Sequence, residues 1–260
     1  MKAQTKSPIK DKPLRYAAQT LDERIHQRVN EDALPYILFI FFFFFFAGYE
    51  WLRYFTGFQP SPKTVTVLAF LFLLFGGYKA RKILREVKAL RLGRDGERVV
   101  GQYLENLREK GYRIFHDVSG GHFNLDHVLL STKGIYVVET KTYSKPAKGS
   151  PKIYYDGESL TINGRKKQNK PIVQVQAASN WLKEMLSETT GRTFPMKPVV
   201  LFPGWYIEST RQGKNPGAWV LNPKALPKFI ENEPDIISRE DVMLAAYHIS
   251  RYIRTVGANK

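Results

Sequence analysis

Two stretches of the chain carry no charge at all, Tyr36 to Tyr49 (YILFIFFFFFFAGY) and Thr64 to Tyr78 (TVTVLAFLFLLFGGY). Phe41 to Phe46 form an unbroken run of aromatic side chains, which leaves no polar face for a helix on the surface of a soluble domain. Each run alone is shorter than the roughly 17 to 25 residues of a spanning helix. The first extends to Phe55 if Glu50 and Arg53 sit at an interface that Tyr49, Trp51 and Tyr54 favour, and the second starts near Pro62. The pattern therefore predicts two transmembrane helices, at about 35–55 and 62–78, joined as a hairpin, rather than two buried core helices. The apolar run begins too far in for a cleavable signal, so the hairpin is read as a lasting anchor. Residues 1–33 are polar; a helix from about Leu14 to Val29 fits, without evident chemistry.

Beyond the apolar runs the period changes. From Lys79 to about Lys110 the pattern is helical, with an interruption expected near Gly93 and a stop at Gly111. Segments 112–118, 125–131 and 135–142 are short, rich in β-formers and separated by glycine or polar turns. A hairpin is expected at 152–163 with its turn at Asp156-Gly157. Pro171 opens a helix to about Thr190, residues 197–203 and 218–222 read as strands, and helices near 223–232 and 239–254 follow. This order predicts an α/β domain built on a central mixed sheet flanked by helices.

Charge sharpens the picture. Forty Lys and Arg against 24 Asp and Glu give a net charge of +16, which calls for an anionic partner. Lys and Arg cluster before the first apolar run (Arg15, Arg24, Arg28) and after the second (Lys79 to Arg94), while the connecting segment has only Arg53 and Lys63. That bias places both termini and the α/β domain in the cytoplasm of a cell with an inner membrane, with about residues 50–63 outside. Residues 79–95 suit anionic lipid headgroups. The chain has no cysteine, which removes disulfide scaffolds, thiolate metal sites and cysteine nucleophiles. Its five histidines never fall in an HxxxH spacing. The spans lack the intramembrane polar residues that transport needs.

Candidate chemistry gathers on the second and third predicted strands. Residues two apart share a strand face, so Glu139 and Lys141 point the same way, and Asp126 on the preceding strand can lie opposite them. Two neighbouring carboxylates are costly to ionise without a cation, and oxygen ligands select Mg²⁺ or Mn²⁺. Lys141 would face the same water or phosphate. From the Glu-x-Lys triplet alone an ordinary salt bridge is the commoner arrangement. Glu97 shares a helix stripe with the apolar Val100 and Leu104, where it either serves the same site or simply favours the helix N-terminus. His127 should face away from Asp126 and pack; His116 and His122 read as strand and loop residues, and Tyr143 as the close of a strand.

Gly93-Arg94-Asp95-Gly96-Glu97, Asn124-Leu125-Asp126-His127-Val128, Gly134 to Lys141 and Asn169-Lys170-Pro171-Ile172-Val173-Gln174 together resemble the nuclease-related domain, NERD, a branch of the PD-(D/E)XK restriction-endonuclease-like nucleases. The resemblance covers about Gly93 to Leu221. It implies a restriction-endonuclease-like core in which Glu97, Asp126 and Glu139 hold the metal, Lys141 orients or activates water, and Gln174 steadies the site. A lysine separates Asn169 from Pro171, so Asn169 does not match the family's Asn-Pro, and Leu125 stands where the superfamily's proline would. The implied organisation is a polar segment 1–33, the two spans within 34–79, a basic helix 80–92, the nuclease-like domain 93–222 and C-terminal helices 223–260 packed on it.

From Lys141 to Lys170 the chain holds Lys141, Lys145, Lys148, Lys152, Arg165, Lys166, Lys167 and Lys170 against Asp156 and Glu158. Such charge suits phosphate contacts that read no sequence. Two functions of different class follow: a membrane-anchored, metal-dependent nuclease acting on DNA or, second, RNA, and a non-catalytic tethered module that binds nucleic acid or a protein partner. The full set of Glu97, Asp126, Glu139 and Lys141 favours the first, because a binding module has no need of it.

Overall fold

Helix α1, Gln19–Gln27, continues through a π-helical turn, Arg28–Ala33, into α2, Leu34–Phe55. The structure is a computed structural model, described for residues 14–57, 61–145, 151–164, 167–210 and 217–256. It divides into two units, Thr20–Leu92 and a second that takes in residues up to Gln19 and from Gly93 onward.

In the first unit, Pro35 follows directly on the π-helical turn, an irregularity suited to a residue that has no N–H to give the preceding turn. The stretch Gln19–Phe55 is long and apolar enough to cross a membrane, and little of its most apolar part is buried. Helix α3, Pro62–Glu105, folds back against α2. Phe43 stacks on Phe72 with centroids 4.0 Å apart, Tyr36 meets Phe75 edge-on, and Trp51 Nε1 donates to Thr66 Oγ1 at 3.3 Å. Residue numbers rise on one helix as they fall on the other, so the pair is antiparallel. Gly76 permits the approach, since a Cβ there would lie 3.1 Å from Ile40. Glu50 is buried at the turn end, accepting from Arg53 at 2.9 Å and from the Ser61 N–H at 3.1 Å. Phe41, Phe42, Phe44 and Phe45 remain exposed, an apolar surface far beyond what scattered surface residues produce.

The expected break at Gly93 does not occur, because α3 is one helix of 44 residues. A glycine keeps its helical hydrogen bond and costs only about 1 kcal/mol relative to alanine, which the surrounding Leu, Arg and Glu outweigh. After α3 the chain turns through Arg108–Lys110 to Gly111, whose φ of 87° suits the residue without a side chain.

In the second unit, β1 (Arg113–Ser119), β2 (Asn124–Ser131), β3 (Gly134–Thr140), β7 (Met196–Leu201) and β9 (Trp219–Leu221) form one sheet in the order β1-β2-β3-β7-β9. The first three strands are antiparallel, and β3, β7 and β9 are parallel. A second sheet of β4 (Lys152–Tyr155), β5 (Leu160–Ile162), β6 (Lys167–Gln168) and β8 (Tyr206–Ser209) runs in the order β6-β5-β4-β8. The hairpin turn at Asp156-Gly157 falls where expected, but the hairpin belongs to this separate sheet. Its partners β6 and β8 have two and four residues, too few for alternation to reveal.

Helix α4, Lys170–Thr190, covers one face of the larger sheet with Ile172, Val175, Leu182 and Leu186. The end of α3 covers the other with Val100 and Leu104, together with α5, Leu226–Glu231. Helix α6, Arg239–Val256, packs on β1, β2 and α4. Each fully buried Leu or Val contributes about 1.5–3 kcal/mol, so both faces anchor β2 and β3 and fix whatever their ends carry.

Candidate functional site

Paired positions of β2 and β3 end at His127–Val138, and the next step of the same register sets Asp126 opposite Glu139. Asp126 Oδ2 accepts from the Thr140 N–H at 2.6 Å. Glu139 is 5% exposed, and Lys141 Nζ donates to its Oε1 at 2.5 Å. The Lys141 N–H is held in turn by Leu201 O at 2.9 Å, so β7 fixes the backbone beneath the ammonium.

Glu97 approaches from α3. The helix can lie against the end of β3 because residue 96 is glycine: a Cβ there would fall 1.7 Å from Thr142 Oγ1, a separation no side chain tolerates. Val100 and Leu104, on the same stripe, are fully buried and hold the helix down.

The resulting field is short of positive charge. Burial first, then the charges of Glu139 and Glu97, push the Asp126 carboxyl well above the usual range, and the Thr140 N–H and Lys141 recover only part. Burial raises Glu139 as well, against the pull of Lys141. Burial works against the Lys141 ammonium, but Glu139 and Asp126 outweigh it and its pKa rises. An all-oxygen donor set wanting a cation fits Mg²⁺ or Mn²⁺. Among the described residues, no three His, Asp or Glu side chains form a ready-made metal cage.

The backbone bends where this site begins. Pairing of β1 with β2 runs through His116–His127 and resumes at Val118–Leu125; between them Asp117 has a φ of 50°, a conformation uncommon outside glycine. Asp117, which regular pairing would set across from Asp126, is turned instead to Arg15 at 2.8 Å and Asn124 at 2.9 Å. Like charges directly across a sheet repel, and the bend relieves that. Sequence reasoning missed both Asp117 and Arg15, which are 102 residues apart and share no local signal.

The remaining expected residues divide. Gln174 is exposed on α4, because Val175 and Ala178 take the buried stripe; among the described residues no hydrogen bond links it to the carboxylates. Lys152 pairs with Glu208 at 3.5 Å and lies over the Tyr206 ring, and Lys167 pairs with Asp156 at 2.8 Å. Lys145 lies against Gly204 and Lys170 is exposed at the start of α4. Lys148, Arg165 and Lys166 lie outside the described residues. Tyr143 stacks on Phe202 at 5.7 Å and accepts from Gln168 at 3.1 Å, so it closes the strand.

His127 faces away from Asp126, as alternation required, and is fully buried. Its Nδ1 lies 2.8 Å from His116 Nδ1, and His116 Nε2 lies 2.6 Å from Glu105 Oε1. The two histidines were read as separate residues, yet the signal existed: positions paired across the turn at 120–123 have numbers summing to 243, and 116 and 127 do so.

Comparison with known proteins agrees in part with the resemblance. Over 65 residues the chain is 35% identical to an uncharacterized protein of Bacillus anthracis, a match covering 23% of this chain and 31% of that protein. The chain thus spans about a third of that relative's length. The structure of SfsA from Pyrococcus furiosus, solved in complex with Ca²⁺, aligns over 59% of this chain and 50% of that one at 17% identity, with a TM-score of 0.21. Residues 92–203, which contain Glu97, Asp126, Glu139, Lys141 and Gln174, match the family model of the nuclease-related domain, NERD.

Proposed function

We propose that the chain is a membrane-anchored, divalent-metal-dependent nuclease that hydrolyses phosphodiester bonds in DNA in preference to RNA. The observation that carries this is the charge-deficient group of Asp126, Glu139 and Glu97 beside one lysine, inside the segment matched by the nuclease-related family. Asp126 and Glu139, with Glu97, would hold Mg²⁺ or Mn²⁺; when bound, such an ion polarises a phosphoryl oxygen and acidifies water. The Thr140 N–H keeps Asp126 aimed inward. Lys141, fixed through its backbone by β7 and through its ammonium by Glu139, offers positive charge where a phosphoryl oxygen gains negative charge. Gln174 would steady the site after a side-chain rearrangement. Lys145, Lys148, Lys152, Arg165, Lys166, Lys167 and Lys170 would hold the strand without reading its sequence; Lys152 and Lys167 must first exchange their present carboxylate partners for phosphates.

The apolar stretch Gln19–Phe55 and the antiparallel packing of α2 on α3 support a two-helix anchor. The Lys and Arg distribution supports a cytoplasmic domain, with residues 79–95 at anionic headgroups. A single cysteine placed near Lys260 should then resist an impermeant thiol reagent in intact cells.

A non-catalytic tethered module is the second reading, favoured by the lack of a ready-made three-ligand cage among the described residues. One experiment decides. The full chain in detergent is titrated with Mg²⁺ or Mn²⁺ in the presence of labelled single- and double-stranded DNA and RNA. Cleavage that EDTA abolishes is the expected result; binding without cleavage under every condition replaces the nuclease with the module.

A further inference from the structure

A second polar cleft lies at the other end of β2. It encloses about 490 Å³ and is lined by Lys110, Arg113, Lys133 and Arg239, with Ser131 and Thr132, and no carboxylate lines it. From Asp126 to Ser131 is five strand residues, roughly 16 Å, so a ligand of ordinary size cannot occupy both places.

The cations in this cleft are unequally satisfied. Lys110 pairs with Glu231 at 2.9 Å, and Lys133 donates to the Glu233 carbonyl at 2.5 Å and lies 4.0 Å from Asp235, which also accepts from the Thr132 hydroxyl. Nearby carboxylates are engaged as well, Glu233 with Lys197 and Asp241 with Arg192. Arg113, by contrast, donates to the thioether of Met243 at 3.4 Å, a weak acceptor, and Arg239 has no ion pair among the described residues. Two guanidiniums facing one cavity without anionic partners match the fork geometry that phosphates accept.

Beside this cleft runs a groove of about 310 Å³ that shares Arg113 and Met243 with it and adds Phe115, Ala246 and Tyr247. Met243 and Tyr247 are exposed along it. An apolar, aromatic groove continuous with a cationic cleft is amphipathic in the sense of a nucleotide, whose flat ring favours aromatic and thioether contacts and whose phosphates favour arginine. We propose that this face of α6 and β1 is a second site, separate from the carboxylate group, that binds a nucleoside diphosphate or triphosphate. Its phosphates sit at Arg113, Arg239 and Lys133, and its base lies against Met243 and Tyr247.

Calorimetry on the full chain in detergent, with EDTA present, tests this using ADP, pyrophosphate and adenosine as probes. ADP should bind with unit stoichiometry and more tightly than either fragment, and its affinity should fall as salt rises. Arg113→Gln with Arg239→Gln should weaken ADP roughly tenfold or more, the scale of losing charge-assisted bonds. Lys183→Gln, which removes one surface charge from α4, and Asp126→Asn should leave it unchanged. The site is overturned if ADP does not bind, if the double variant binds it as the wild type does, or if Asp126→Asn removes binding. Pyrophosphate binding as tightly as ADP overturns the role of the groove. An oligonucleotide weakened by the double variant, with no ADP binding, assigns the arginines to a strand instead.

Discussion

Asp126 and His127 are neighbours on β2 and head two buried polar groups of opposite character. On one face, Glu105, His116 and His127 form a chain in which contacts of 2.6 and 2.8 Å link carboxylate to imidazole to imidazole. Burial first, aided by His116, pushes the His127 pKa well below normal, and burial lowers His116 although Glu105 pulls the other way. The histidines are thus neutral and mutually bonded. On the other face, burial first and then the charges of Glu139 and Glu97 raise the Asp126 carboxyl, and one lysine recovers only part. Burial alone does not mark a site; residual electrostatic conflict does, because packing would select against it unless something else required it.

The sharpest separation concerns activity. Lys141→Ala should reduce cleavage by about 10²–10⁴-fold, the range for removing a positioned proton-transfer or charge-stabilising group, while calorimetry finds Mn²⁺ binding largely intact. His127→Ala should leave cleavage per folded molecule unchanged. Cleavage by Lys141→Ala at the wild-type rate would remove this lysine from the mechanism.

Stability should reverse the ranking. His127→Ala opens space in a fully buried position and deprives His116 of its partner, so denaturant unfolding should show a loss of about 2–4 kcal/mol, as large-to-small core changes do. A loss below about 0.5 kcal/mol would mean that the imidazole pair is not part of the packed core.

Asp126→Asn should act with the opposite sign. The folded carboxyl is raised above its unfolded value, so as pH rises from about 4 the unfolded chain releases its proton first. Folding stability then falls with rising pH until the folded pKa is passed. Removing the charge removes that slope. The variant should gain about 1–3 kcal/mol at neutral pH, the scale of an unsatisfied buried group, little near pH 4, and should lose cleavage. A gain independent of pH would show that the carboxylates do not repel one another.

How much of this contrast was legible in the sequence depends on periodicity. Strand alternation separated Asp126 from His127 and joined Glu139 to Lys141, and the helical stripe of Val100 and Leu104 carried Glu97 to the same end of the sheet. Other features depend on long-range contacts or on very short elements. The two-residue β6 has no period, the bend at Asp117 is stabilised by Arg15 from far along the chain, and Gly96 is explained only by Thr142 lying against it. Gln174 shows the limit of a matched motif, since the motif gives position in sequence while the α4 stripe decides which way the side chain points.

Glu105→Gln tests this chain at its solvent end, with the smallest effect. Glu105 is 42% exposed, so screening holds the expected loss below about 1 kcal/mol at neutral pH. Its pKa is lowered: burial works against this, but Arg108 and His116 outweigh it. The contribution is therefore present above the unfolded pKa of about 4.3 and disappears as pH falls through the folded value. Wild type and variant should then unfold alike in strong acid and diverge toward neutrality. Because Glu105 also favours the protonated form of His116, the variant should lower the His116 pKa further, which proton NMR can follow at the ring. Unchanged titration of His116 would break the link between carboxylate and imidazole, and with it the claim that Glu105 sets the protonation of the buried pair.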